Sequence, residues 1–244
     1  MWSLNGSSIS FPNDSALVVG GISPIQLIVL QVHYIENTRI PRSGDTSGVL
    51  VHYHEGDTPP EYQVGIFSLH NHGVASANGL SFWDSACQLP IPNDNYPLIP
   101  FAFLAHTHGL GIHGSGWIVR KDSWTLIGEA NPQVIRKRIV KLYRSTHLIY
   151  EFVGLQDPQS FYPVAFENQE ITSDDTLAIR CIMESTRNQD TYQGLSKHME
   201  MCDYFVYYKT KGPILSINSC TTNSSFTWDN YGLTNYPEQF RGII

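Results

Sequence analysis

Short runs of β-branched and aromatic residues recur along the whole chain, each cut off by glycine, proline, asparagine or aspartate. Leu27–Tyr34, Gly48–Tyr53, Leu98–Ala105, Gly116–Arg120, Trp124–Gly128, Leu177–Ile182 and Tyr204–Tyr208 all read as strands. Many short strands with regular turn signals predict an all-β fold, an antiparallel, jelly-roll-like β-sandwich. Gly114 to Ile127, with Lys121-Asp-Ser at its centre, reads as a hairpin. One stretch departs from the pattern. Val134–Arg144 carries five of the chain's 15 Lys and Arg and spaces Ile135, Ile139 and Leu142 as a helix would. It reads either as a basic amphipathic helix or as an insertion that extends a loop, and the second is favoured because nothing nearby needs a basic surface.

A chain of 244 residues, 41% hydrophobic, can bury one good-sized core or two small ones. A net charge of -7 and a pI near 5.7 argue against nucleic acid as a partner. No apolar run approaches the roughly 18 residues of a membrane span. Cys87, Cys181, Cys202 and Cys220 lack the close spacing of a zinc knuckle or a redox motif, so two disulfides are expected, with three pairings open. Asn5-Gly-Ser, Asn13-Asp-Ser and Asn223-Ser-Ser are glycosylation acceptors by pattern, which fits the same oxidising compartment. The N-terminus has no basic start and no apolar stretch, hence no signal peptide. A chain with exported features and no export signal is expected to begin further upstream.

His106-Thr-His108 is the candidate site. Residues two apart on a strand share a face, so both imidazoles can address one ion. The pattern alone is cheap, since His52-Tyr-His54 and His70-Asn-His72 repeat it without a metal role. A third donor of the right kind gives it weight: Met201 directly precedes Cys202 and a strand, so it is rigidly held. Two imidazoles with a thioether suit copper(I) better than zinc or a hard cation. His113, His147 and His198 read as loop or surface residues, His198 being a fallback ligand. The end of the chain from about Thr227 reads as a linker or frayed end.

In order, Leu30-Gln-Val-His-Tyr34, His106–Gly111, Ser115–Gln133, Phe161-Tyr-Pro-Val164, Glu200–Tyr208 and Leu215–Thr221 resemble the ascorbate-dependent copper type II monooxygenases. Trp124-Thr-Leu-Ile-Gly128 and Asn131-Pro-Gln133 favour the peptidylglycine α-hydroxylating branch over the dopamine β-monooxygenase branch. The resemblance covers most of the chain. It implies two antiparallel β-sandwich domains in the family, each with one copper across a cleft. In this chain residues 1–42 would be a remnant of the N-terminal copper domain and linker, 43–228 the C-terminal copper domain with 134–158 as an insertion, and 229–244 a tail.

Carried over, His106, His108 and Met201 match the ligands of the copper that binds oxygen and hydroxylates. His33 matches a histidine of the electron-delivering copper, with Gln31 beside it. The disulfides would be Cys87 to Cys220 and Cys181 to Cys202. The implied chemistry uses copper, molecular oxygen and ascorbate to hydroxylate the α-carbon of a C-terminal glycine, the first step of peptide amidation. It implies a secreted or vesicle-lumenal protein, a small peptide or amine as substrate, and need of the missing N-terminal copper domain for full activity. The substrate shell departs from the peptide-amidating pattern: Leu104 stands in place of an arginine, Asp203 of an asparagine and Phe205 of a tyrosine. A carboxylate in place of an amide repels a substrate carboxylate and can pair with an ammonium. An amine substrate, or a copper-binding domain without turnover, are therefore the alternatives.

Overall fold

The computed structural model describes residues 8–21, 23–30, 44, 48–56, 58–121, 123–133, 136–144, 147–156 and 159–238, with backbone alone for 136–144 and 147–156. The described residues form strands and no helix. In chain order these are β1 (Ser15–Ala16), β2 (Tyr62–His72), β3 (Val74–Ala75), β4 (Leu80–Gln88), β5 (Ile99–His106), β6 (Gly111–Arg120) and β7 (Ser123–Ala130). They continue as β8 (Arg136–Arg144), β9 (His147–Gln156), β10 (Tyr162–Pro163), β11 (Thr176–Glu184), β12 (Thr191–Tyr192), β13 (Asp203–Thr210) and β14 (Ser219–Asn223).

Two sheets make the sandwich. One runs β1-β2-β13-β5-β10 with β14 also on β2; the other runs β4-β11-β6-β7. Pairing is antiparallel except where β1 and β14 join β2. The period-2 alternation of strands such as β13 explains why the sheets close on one another. Tyr204, Val206 and Tyr208 of β13 and Phe103 and Ala105 of β5 turn inward onto Ile118, Ile127, Ile179 and Trp83. At the centre the Tyr204 and Phe103 rings stack 5.5 Å apart. They lie on Gly116 and Gly128, which are paired across β6 and β7. A Cβ at either glycine would come within 2.3 Å of one of these rings, so only glycine lets the rings reach the backbone. Tyr204 Oη donates to the Gly128 carbonyl at 3.0 Å.

Both disulfides join the two sheets. Cys87 of β4 is bonded to Cys220 of β14, and Cys181 of β11 to Cys202 just before β13, with Cα separations of 6.5 and 5.9 Å. This is one of the three pairings left open by cysteine count.

The outer face of the second sheet is covered by the chain's own end. Phe226, Trp228, Leu233 and Tyr236 pack on Trp117, Trp124, Ala86 and Ala178, and Trp228 is fully buried. The segment read as a frayed end is therefore packed as far as Tyr236. Beneath it Arg180 and Asp84 form a two-pronged ion pair, Nε to Oδ1 at 2.7 Å and Nη2 to Oδ2 at 2.8 Å. The Trp228 amide donates to Asp84 Oδ2 at 3.1 Å, and its ring covers the guanidinium at 4.1 Å.

Two expected strands need correction, and the helical alternative for 134–144 is not realised. Leu27–Leu30 and Gly48–Tyr53 are not strands, and Leu27, Val29 and Leu50 are each about 80% exposed. β-rich sequence is realised only where a neighbouring strand accepts it, and no described strand lies beside these two. The helical spacing of 134–144 gives way because Arg136–Arg144 pairs antiparallel with His147–Gln156. A β-branched, aromatic partner run two residues away in sequence outcompetes a helix. The hairpin around Lys121 stands as read, with Lys121 at φ 53° supplying the turn.

Candidate metal centre

His106 ends β5, and Thr107 to Leu110 cross to β6. His108 thus lies beyond the strand, yet its ring centroid is 5.5 Å from that of His106, at 80° between planes. Both rings have one nitrogen committed. His108 Nδ1 lies 3.0 Å from the Met199 carbonyl, which can only accept, so Nδ1 carries the proton. His106 Nδ1 meets Gln159 Oε1, and the orientation of that amide is fixed because Gln159 Nε2 donates to the Thr107 carbonyl at 2.9 Å. Each imidazole therefore presents Nε2 as its lone-pair nitrogen, with no hydrogen-bond partner among the described residues. Metal-binding histidines are commonly held in this way, one ring nitrogen fixed by a carbonyl, carboxylate or water and the other left for the metal.

The backbone of Met201 is tied to that of His108 through Glu200. That carboxylate is fully buried and accepts three backbone N–H groups. Oε1 takes those of His108 and Met201, the latter at 2.8 Å, and Oε2 takes that of Leu110 at 2.8 Å. One oxygen thus ties the backbone of a candidate nitrogen donor to that of the candidate sulfur donor, and Met201 itself is buried. Gln133 braces the same loop by donating Nε2 to the Gly111 carbonyl at 3.0 Å. Among the described residues no three of His, Cys, Asp and Glu gather as a metal-holding group. A metal here would rest on two imidazoles and a thioether, a donor set that fits copper(I).

The surrounding face of the larger sheet is set by register. His106, Asp203 and His70 stand level across β5, β13 and β2. Leu104, Phe205 and Ser68 form the next row. Leu104 is buried among Ala102, Phe161 and Tyr207, with Phe205 against them. Asp203 Oδ1 accepts from His70 Nδ1 at 2.7 Å, and His70 Nε2 lies 2.9 Å from Ser68 Oγ. The pair at 70 and 72 thus splits, His70 on Asp203 and His72 exposed. His52 and His54 are exposed and lie in no strand. Gln31 and His33 fall outside the described residues. Gln159, Glu200 and Gln133 were not found by reading the sequence for sites. Glu200 alone had a signal, as an acid beside the candidate methionine.

Burial pushes the pKa of His106 below the ordinary imidazole value of 6.5, against the pull of Asp203 and of Gln159. Burial also lowers His113, against Glu129. Both rings therefore lose their proton at lower pH in the folded chain than in the unfolded one. Below about pH 6.5 the unfolded chain takes up protons that the folded chain refuses. The stability they contribute is full above that pH and is lost as pH falls toward their depressed folded values. The urea midpoint of the metal-free chain should therefore hold steady above about pH 7 and fall below about pH 6, with a shallower fall in His106→Gln. A midpoint indifferent to this window would contradict the lowering of these two pKa values by burial.

Residues 139–231 match the family model of the copper type II ascorbate-dependent monooxygenase C-terminal domain. The chain is 31% identical over 227 residues to peptidylglycine alpha-amidating monooxygenase of Rattus norvegicus, covering 91% of this chain and 20% of that protein. It is 31% identical over 223 residues to peptidyl-glycine alpha-amidating monooxygenase B of Xenopus laevis, covering 90% of this chain and 22% of the relative. The Mus musculus enzyme is 29% identical over 225 residues, with 91% and 20% covered. The chain spans about a fifth of the length of the curated relatives it matches. The ordered motifs, the two inter-sheet disulfides and this similarity along nine-tenths of the sequence converge: the chain belongs to the copper type II ascorbate-dependent monooxygenases and contains their C-terminal domain.

Proposed function

We propose that this chain supplies the oxygen-binding copper site of a monooxygenase that hydroxylates the α-carbon of a C-terminal glycine in peptides, leading to peptide amidation. The observation that carries this reading is the pair of imidazoles, His106 and His108, each held through Nδ1 with no partner for Nε2 among the described residues, while Glu200 ties the Met201 backbone to that of His108. Copper bound by these three residues would supply oxygen activation, with ascorbate as the source of two electrons. The chain's own residues hold the donors. Gln159 and the Met199 carbonyl fix the tautomers, and the apolar row of Leu104 and Phe205 keeps water from one side of the site. His33, with Gln31 beside it, belongs to the electron-delivering copper, which the N-terminal copper domain completes. Two disulfides support a secreted or vesicle-lumenal setting.

One observation favours a second substrate class. Asp203 stands level with His106, and its carboxylate would attract an ammonium and repel a carboxylate. An amine substrate, as in the dopamine β-monooxygenase branch, follows from that charge. Joined to an N-terminal copper domain, the chain would be offered a glycine-extended peptide and an arylalkylamine side by side, and turnover of one alone assigns the class. Turnover of neither, with copper bound, would leave a copper-binding domain.

The metal site has its own test. Anaerobic copper(I) titration with X-ray absorption should find one copper per chain and a sulfur scatterer that disappears in Met201→Ile. Absence of stoichiometric copper, or coordination unchanged by the substitution, would overturn the assignment.

A further inference from the structure

We propose that Asn223 is a site of N-linked glycosylation and that the sugar guards the open edge of β14. Asn223 is the last residue of β14, and it alternates with inward residues that fix its direction. Cys220 is turned in to its disulfide, and Thr222 Oγ1 donates to the Asp84 carbonyl at 2.9 Å, while Ser219, Thr221 and Asn223 face solvent.

The acceptor triplet is Asn223-Ser224-Ser225. Ser225 Oγ donates to Asn223 Oδ1 at 2.7 Å, and the Ser225 amide donates to the same oxygen at 3.1 Å. Both donors sit on the carboxamide oxygen, so the nitrogen Nδ2 points away, with no partner among the described residues. The third residue of the triplet thus touches the acceptor amide directly, its hydroxyl polarising it through the carboxamide oxygen. In the transfer itself Nδ2 attacks the anomeric carbon of an oligosaccharide carried on a lipid diphosphate. The N–C bond forms, the C–O bond to the diphosphate breaks, and the lipid diphosphate leaves with that electron pair. One amide proton is released, and nothing is oxidised or reduced.

The other two triplets are not equivalent. Ser15 Oγ, which would serve Asn13, donates instead to the Pro12 carbonyl at 2.8 Å, and the middle residue Asp14 is paired with Lys209 Nζ at 2.6 Å. The triplet at Asn5 lies outside the described residues. The two disulfides call for the oxidising lumen in which such transfer takes place.

The position has a physical use. β14 pairs with β2 on one side, and among the described residues no strand pairs on its other side. An open edge offers unpaired N–H and C=O groups to another chain, and proteins block such edges with charge, bulges or bulk. A hydrated oligosaccharide at the end of this strand supplies bulk where β14 itself has no charged residue.

The test expresses the full chain behind an export leader in eukaryotic cells and reads both cell and medium fractions. Peptide-N-glycosidase should sharpen and lower the gel band and convert Asn223 to aspartate in the peptide map. Asn223→Gln and Ser225→Ala should lose the modification, and Ser225→Thr should keep it. Near-UV circular dichroism of the tryptophan cluster checks that each variant is folded. Sedimentation of folded Asn223→Gln should show concentration-dependent association absent from the wild type. Asn223 found unmodified in the wild type, or sugar found on Asn13 or Asn5 alone, would overturn the site. A variant that stays monomeric at all concentrations would overturn the edge-guarding role.

Discussion

Glu200→Ala is expected to destabilise the metal-free chain by about 4 kcal/mol and to weaken copper(I) binding by at least about tenfold. The carboxylate is fully buried and accepts from His108, Leu110 and Met201, so its removal strands three backbone N–H groups where water has little access. Hydrogen bonds to a charged acceptor contribute about 1.5 to 3 kcal/mol each, and part of the loss is recovered when the loop relaxes. The copper effect has a separate cause. The loop carrying His108 and the residue carrying Met201 would no longer share an acceptor, so the donors lose their common reference point. Glu200→Gln keeps the shape and one acceptor oxygen, and should fall between. Urea unfolding and copper(I) competition with a chromophoric chelator measure the two effects independently. Wild-type copper affinity in folded Glu200→Ala would show that Glu200 does not position the donors.

Asp84→Ala should cost about 3 to 5 kcal/mol, a large part of the roughly 5 to 15 kcal/mol that holds a domain together. Arg180 would keep its charge with its partner gone, beneath the Trp228 ring. The Trp228 amide would lose its acceptor as well, so the end of the chain should loosen from the sheet. Removing both charges with Asp84→Ala and Arg180→Met should cost less than Asp84→Ala alone, because the buried guanidinium is then removed together with the carboxylate that offsets its burial. Denaturant midpoints of the two single variants and the double variant test this. A double variant less stable than Asp84→Ala would show that the pair contributes more than it costs to bury.

The site was partly legible because its donors obey local rules. Two histidines two residues apart at the end of an apolar run need no knowledge of the fold, and a methionine beside a cysteine is visible as a fixed point. Their supports are not local. Gln159 meets His106 across 53 residues and Glu200 meets His108 across 92, distances at which only the register of the sheets decides who is adjacent. Strands with simple alternation, such as β5 and β13, could be read directly. β4 could not, because Asp84 and Ser85 are buried polar residues in its middle and break the hydrophobic pattern. Leu27–Leu30 failed in the opposite way: the sequence has strand character, and the described fold gives it no partner.

The disulfide next to Met201 differs in one respect from its counterpart. Cys181 and Cys202 are almost wholly buried, whereas Cys87 and Cys220 are partly open to solvent. Thiol–disulfide exchange requires a thiolate to approach a sulfur directly, which a closed interior forbids. The disulfide beside Met201 is therefore out of reach of soluble thiols, and the sandwich could lose its outer clasp to a reductant while Met201 stayed in place.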